Sequence, residues 1–178
     1  MIRLFAALAV PDDIAAVLAR RQQGLPGARW SALENLHLTL RFFGEVRETT
    51  AADLDAGLAI LAMESFELSL EGVGAFGERD HMRAVWAGVA ESEPLRRLAV
   101  RCDAVARRCG LEIEAKAFRP HVTLAYLRHT PEARAAAWVQ DHNLLKSPPW
   151  RAGAFGLYSS WRSAEGSRYE LERSYPLI

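Results

Sequence analysis

Two stretches of this chain repeat one pattern: Asn35-Leu36-His37-Leu38-Thr39-Leu40 and Arg119-Pro120-His121-Val122-Thr123-Leu124 both read His-apolar-Thr-apolar. In an extended strand, successive side chains point to opposite faces. Each stretch therefore seats Leu38 and Leu40, or Val122 and Leu124, in an apolar core and turns an imidazole and a hydroxyl to the other side. With five histidines and five threonines in 178 residues, two His-x-Thr triplets arise by chance about one time in a hundred. The apolar residues around them lower those odds about tenfold further. Any fold for this chain must hold two such strands against a core.

The rest of the chain alternates between strand-like and helical periodicity. Arg3 to Val10 is apolar and extended, and Pro11 opens a helix with Ile14, Val17 and Leu18 on one face. Leu36 to Phe43 reads as a strand closed by Gly44, and Thr49 or Thr50 caps a helix carrying Leu54, Leu58 and Leu61. Phe66 to Val73 and Ala84 to Val89 are strands, with Gly72, Gly74 and Gly77 read as a loop between them. Pro94 starts a helix striped by Leu95, Leu98, Cys102, Val105 and Cys109 and ended by Gly110. After the strand His121 to Tyr126, Thr130-Pro131-Glu132 begins a helix running to about His142. Lys146-Ser147-Pro148-Pro149 breaks the chain, and Trp150 to Ser160 and Ser167 to Arg173 form a final strand pair around Gly166. Mixed strands and helices with short connections place the fold in the α+β class with mainly antiparallel sheet.

Composition narrows the partners. Half the chain is hydrophobic and a quarter charged, with 22 basic and 22 acidic residues and a net charge of zero. This balance suits a globular protein and argues against coating nucleic acid or membrane through bulk charge, while leaving room for a local anion site. The apolar stretches fall short of the roughly 18 residues a membrane span needs. Met1 to Val10 is read as the first strand rather than a signal peptide, since Pro11-Asp12-Asp13 stands where a cleavage site would lie. Cys102 and Cys109 are about 10 Å apart along one helix, too far for a disulfide. They are expected to be small buried hydrophobes in a reducing, cytoplasmic setting. No cysteine and histidine pair has structural zinc spacing.

Two histidines facing one cleft suit acid–base work on phosphorus. Near neutral pH one imidazole can be neutral and take a proton from water while the other is charged and gives one to a leaving oxygen. The hydroxyls of Thr39 and Thr123 can donate to the non-bridging oxygens between them. No metal or cofactor is needed for that chemistry. Catalytic roles are thus expected for His37 and His121. His81, His129 and His142 lack partner spacing and are expected at the surface. The five tryptophans are read as core or lobe-interface residues, and Phe42 and Phe43 as split between cleft and core.

These residues resemble the 2H phosphoesterase superfamily, in particular its bacterial and archaeal RNA 2′,3′-cyclic phosphodiesterase branch, also described as 2′-5′ RNA ligases. The likeness extends over nearly the whole chain. Arg3-Leu4-Phe5-Ala6-Ala7 with Pro11 is similar to the family's opening strand. Asn35 to Val46 and Phe118 to Ala125 are similar to its two motif blocks, and Leu157-Tyr158-Ser159-Ser160 with Ser167-Arg168-Tyr169 to its last strand pair. The resemblance implies one bilobal domain over residues 1–178, with two pseudo-twofold-related sheets, flanking helices and a central cleft. It implies opening of an RNA-terminal 2′,3′-cyclic phosphate to a 2′-phosphate, with His37 as proton donor and His121 as acceptor. The expected partners are RNA ends or small cyclic nucleotides, with no membrane, and the chain is expected to be a monomer. An RNA 2′-5′ ligase, a 2′,5′-phosphodiesterase and a non-catalytic RNA- or nucleotide-binding module use the same motifs and stay open.

In one place the chain departs from that pattern. The resemblance implies an arginine on the phosphate three residues after the second threonine, where this chain has Tyr126. Tyr126 can donate a neutral hydrogen bond there, which is weaker than a charged one. Otherwise the charge comes from Arg128, Arg119 or Arg41. Strict alternation puts Arg41 on the face of His37 and Thr39, and Arg128 is the first choice of the three.

Overall fold

A computed structural model describes residues 1–112 and 115–178. Strand β1 (Ile2–Ala9) is followed by helix α1 (Asp12–Ala19), the short β2 (Ala28–Trp30) and β3 (His37–Val46). Helix α2 (Glu48–Ala59) leads to β4 (Phe66–Leu68), β5 (Leu70–Glu78) and β6 (His81–Val89). After α3 (Glu93–Arg108) come β7 (His121–Leu127), α4 (Glu132–His142), β8 (Trp150–Ala152), β9 (Ala154–Ser163) and β10 (Gly166–Pro176). The fold is α+β, and every strand pairing is antiparallel. Eight strands form the main sheet in the order β10-β9-β1-β3-β7-β6-β5, with β2 also on β7, while β4 and β8 pair separately. No helix among the described residues is long and apolar enough to cross a membrane.

The main sheet consists of two halves that touch at one point. Strands β10-β9-β1-β3 make one half and β7-β6-β5 the other, and the recorded register between β3 and β7 is the single pair Leu38↔Val122. Each of these residues follows its motif histidine, so the midpoint of the pair is a local twofold axis that exchanges the two motifs. Beyond it β3 and β7 diverge, and β2 lies along the β3-facing edge of β7, through Ala28↔Leu127, Arg29↔Tyr126 and Trp30↔Ala125. The bilobal form follows from this wedge.

One apolar core backs both halves, with Leu4, Ala6, Leu8, Leu38, Leu40, Val85, Ala87, Val122 and Leu124 among its members. Helix α3 supplies Leu95, Leu98, Cys102 and Val105 to it. Its start is held by Ser92, whose hydroxyl accepts from the Leu95 amide at 3.3 Å, and Pro94 occupies its first turn. Cys102 and Cys109 are both free thiols, the first buried.

Three local expectations are corrected. Helix α2 starts at Glu48 after an extended Arg47, so Thr49 and Thr50 lie in its first turn and do not cap it. The run from Phe66 splits at Ser69 into β4 and β5, which join different sheets. Gly72, Gly74 and Gly77 lie inside β5 rather than in a loop. Gly72 and Gly77 take positive φ beside register shifts. At Gly74 a Cβ would collide with the Trp86 indole, so glycine there makes room for a side chain, as it does where a strand is closely approached.

Candidate active site

Since Leu38 and Val122 point into the core, His37, Thr39, His121 and Thr123 all turn to the opposite face, flanking the one antiparallel pair that joins β3 to β7. Both imidazoles are oriented in the same way. His37 Nδ1 lies 2.7 Å from the Asn35 carbonyl and His121 Nδ1 2.6 Å from the Arg119 carbonyl, each two residues upstream. A carbonyl only accepts, so each Nδ1 carries the hydrogen and each Nε2 is left for chemistry. Leu36 at φ −67° and ψ 122° takes the φ that the ring of Pro120 imposes, about −65°. Two different residues thereby present equivalent carbonyls.

Aromatic rings wall each histidine. Phe5 and Tyr169 each lie 5.0 Å from the His37 ring, Tyr169 edge-on. Phe76 stands edge-on to His121 at 4.9 Å, with Trp86 at 5.9 Å. Burial holds His37 below the usual imidazole value of 6.5, against the raising effect of its Asn35 bond, and the charge of His121 lowers it further. Burial likewise holds His121 low, opposed by its bond to Arg119. The two imidazoles thus sense each other.

Immediately after each threonine, the ladder skips a residue. Ala7 pairs with Thr39 but Ala6 with Arg41, and Trp86 pairs with Thr123 but Val85 with Ala125. These matched β-bulges reset the alternation. Phe42 and Tyr126 therefore come onto the histidine face, each 53% exposed, while Phe43 enters the core. Tyr126 interacts with Thr123 and, across the cleft, with Tyr169; burial first and then Tyr169 push its phenol up to about 12.

The same bulge corrects the placement of Arg41. Its register partner Ala6 belongs to the helix-facing core. Arg41 is 6% exposed, 3.4 Å from Asp103 of α3, and hydrogen-bonded to the Glu112 carbonyl. It stands behind the sheet, away from the histidines. Arg128 is exposed in the bend that follows the end of β7. Residue patterning gave no site role to Phe5, Phe76, Trp86 or Tyr169, although Phe5 and Tyr169 lie in segments that carry the family resemblance, because these rings meet the histidines only through strand register. Among the described residues, no group of three or more His, Cys, Asp or Glu side chains could hold a metal ion.

Comparison with known proteins agrees with this geometry. The family model for the 2′-5′ RNA ligase superfamily matches residues 10–163. An RNA 2′,3′-cyclic phosphodiesterase of Archaeoglobus fulgidus is 36% identical over 134 residues, 73% of this chain and 76% of that protein. One from Aeropyrum pernix is 42% identical over 96 residues, 53% of this chain; the match spans about half the length of that relative, 54%. Among solved structures, E. coli LigT complexed with 3′-AMP superposes with a TM-score of 0.82 at 28% identity, covering 99% of this chain and 98% of that one. With its doubled His-x-Thr strands facing one cleft across a local twofold, the chain belongs to the 2H phosphoesterase superfamily, in the RNA 2′,3′-cyclic phosphodiesterase (LigT-like) family.

Proposed function

We propose that this protein hydrolyses RNA-terminal 2′,3′-cyclic phosphates to 2′-phosphates, with His37 and His121 as its acid and base. The observation that carries the reading is the pair of imidazoles fixed by equivalent Nδ1–H···O=C bonds, with both Nε2 atoms on one face beside Thr39 and Thr123. The names of the relatives, RNA 2′,3′-cyclic phosphodiesterases, point the same way.

The threonine hydroxyls donate to the two non-bridging oxygens and centre the phosphorus between the imidazoles. Nε2 of neutral His121 takes a proton from water, and the water oxygen bonds to phosphorus. On the opposite side the P–O3′ bond breaks, and Nε2–H of protonated His37 delivers a proton to the departing 3′ oxygen. The products are a 2′-phosphate and a free 3′-hydroxyl. The local twofold gives the two imidazoles matching backbone hydrogen bonds, so the direction depends on how the ribose lies in the cleft. Placing the 3′ oxygen at His37 is the arrangement that yields a 2′-phosphate. An RNA 5′-hydroxyl attacking in place of water gives 2′-5′ ligation through the same groups.

The test is a short RNA ending in a 2′,3′-cyclic phosphate, incubated in excess EDTA, with the position of the product phosphate determined. The expected result is a 2′-phosphate end, with kcat reduced at least 10²-fold by His37→Ala and by His121→Ala. A 3′-phosphate product would keep the hydrolase but make the 2′ oxygen the one that departs and that His37 protonates. Activity abolished by EDTA and restored by zinc or manganese would overturn the two-histidine mechanism.

A further inference from the structure

The reaction puts negative charge between the two imidazoles, and Arg41, which strict alternation would have brought beside them, is turned to the other side of the sheet. Arg41 pairs with Asp103 behind the sheet, and Arg128 follows the end of β7. Another arginine lies in the wedge between the halves. Arg29 is carried by β2 and is the register partner of Tyr126. Directly opposed residues of an antiparallel pair share a face, so Arg29 sits beside Tyr126 on the histidine side, and it is exposed. Its guanidinium reaches the β9–β10 hairpin, where a Cβ on Gly166 would collide with it. Among the described residues, no carboxylate forms an ion pair with it. The hairpin also carries Tyr169, edge-on to His37. Arg29 therefore stands at the rim of the cleft, between the strand of His121 and the hairpin that covers His37.

We propose that Arg29 is the phosphate-binding cation of this site, donating its planar fork of N–H groups to phosphate oxygens of the RNA end. This rests on the phosphodiesterase reading and adds a residue to it. Guanidinium geometry matches phosphate oxygens in pairs, and such charge-assisted bonds are about twice as strong as neutral ones. The phosphate is either the cyclic one or the diester joining the last nucleotide to the chain, and both present the same oxygens.

The experiment compares wild type, Arg29→Ala and Arg29→Lys on a nucleoside 2′,3′-cyclic phosphate and on a dinucleotide ending in one, at several salt concentrations. Arg29→Ala should lower kcat/KM about 10- to 100-fold, and Arg29→Lys should recover part of the loss. The dependence of log kcat/KM on log salt should flatten in the alanine variant, since one phosphate contact is gone. A loss on both substrates assigns Arg29 to the cyclic phosphate; a loss on the dinucleotide alone assigns it to the upstream diester. Values within twofold of wild type on both would overturn the proposal. So would a loss that lysine does not restore and that leaves the salt slope unchanged, the signature of a brace on the hairpin. Binding of a nucleoside 2′-monophosphate, measured by calorimetry on wild type and Arg29→Ala, tests the contact without turnover. Equal affinities there count against Arg29 alone, whereas a wild type that binds but never hydrolyses overturns the phosphodiesterase reading.

Discussion

At the scale of single residues, the histidines trade stability against function. Their burial favours the neutral form, so each folded pKa lies below the unfolded value of about 6.5. The folded chain then binds fewer protons than the unfolded one in the window below 6.5. Stability from these groups is complete above about pH 6.5 and is lost as pH falls from there through the folded values. Replacing His37 with glutamine should therefore shrink the fall in Tm between pH 7.5 and pH 5 relative to wild type, as read by thermal denaturation; an unchanged fall would mean that His37 is not held neutral by the fold. Arg41 offers a contrasting case. As a buried partner of Asp103 it supports the fold, so Arg41→Ala should cost about 3 kcal/mol in urea denaturation and leave KM within twofold. A large rise in KM at unchanged stability would return it to the cleft.

At the scale of elements, strand irregularities do the positioning. Perfect alternation from His37 or His121 would have brought Arg41 and Ala125 to the site. The bulges after Thr39 and Thr123 bring Phe42 and Tyr126 instead. Such a bulge has no signature in Leu40 or Leu124, because it depends on how β1 and β6 pair with them. Strand β5 shows the same limit: three glycines look like a loop until the Trp86 ring lying on Gly74 is seen. The Trp86 ring also flanks His121. Gly74→Val should thus destabilise the protein by about 1–3 kcal/mol through overpacking and lower kcat about tenfold by shifting the indole. Thermal denaturation together with steady-state kinetics would check both effects, and a stability loss with full kcat would detach Trp86 from the site.

At the scale of the molecule, the two half-sheets meet at Leu38↔Val122, and that contact sets one histidine relative to the other. Leu38→Ala should cost about 2–5 kcal/mol, as for any fully buried leucine. It should also depress kcat, whereas Leu58→Ala on α2, equally buried, should cost similar stability and spare kcat at temperatures where both variants are folded. Equal effects on kcat would mean that the junction is ordinary core. The sequence by itself determined the two His-x-Thr strands, their apolar backing and the α+β alternation, because periodicity and repetition are local properties that any window of residues displays. It also carried the family resemblance, which the match over residues 10–163 bears out. Only the tertiary structure decided which side chains surround the histidines, that Arg41 lies behind the sheet and that Arg29 lies in the wedge. Those placements depend on strand register, bulges and the divergence of β3 from β7, and each arises from pairing between segments far apart in the chain.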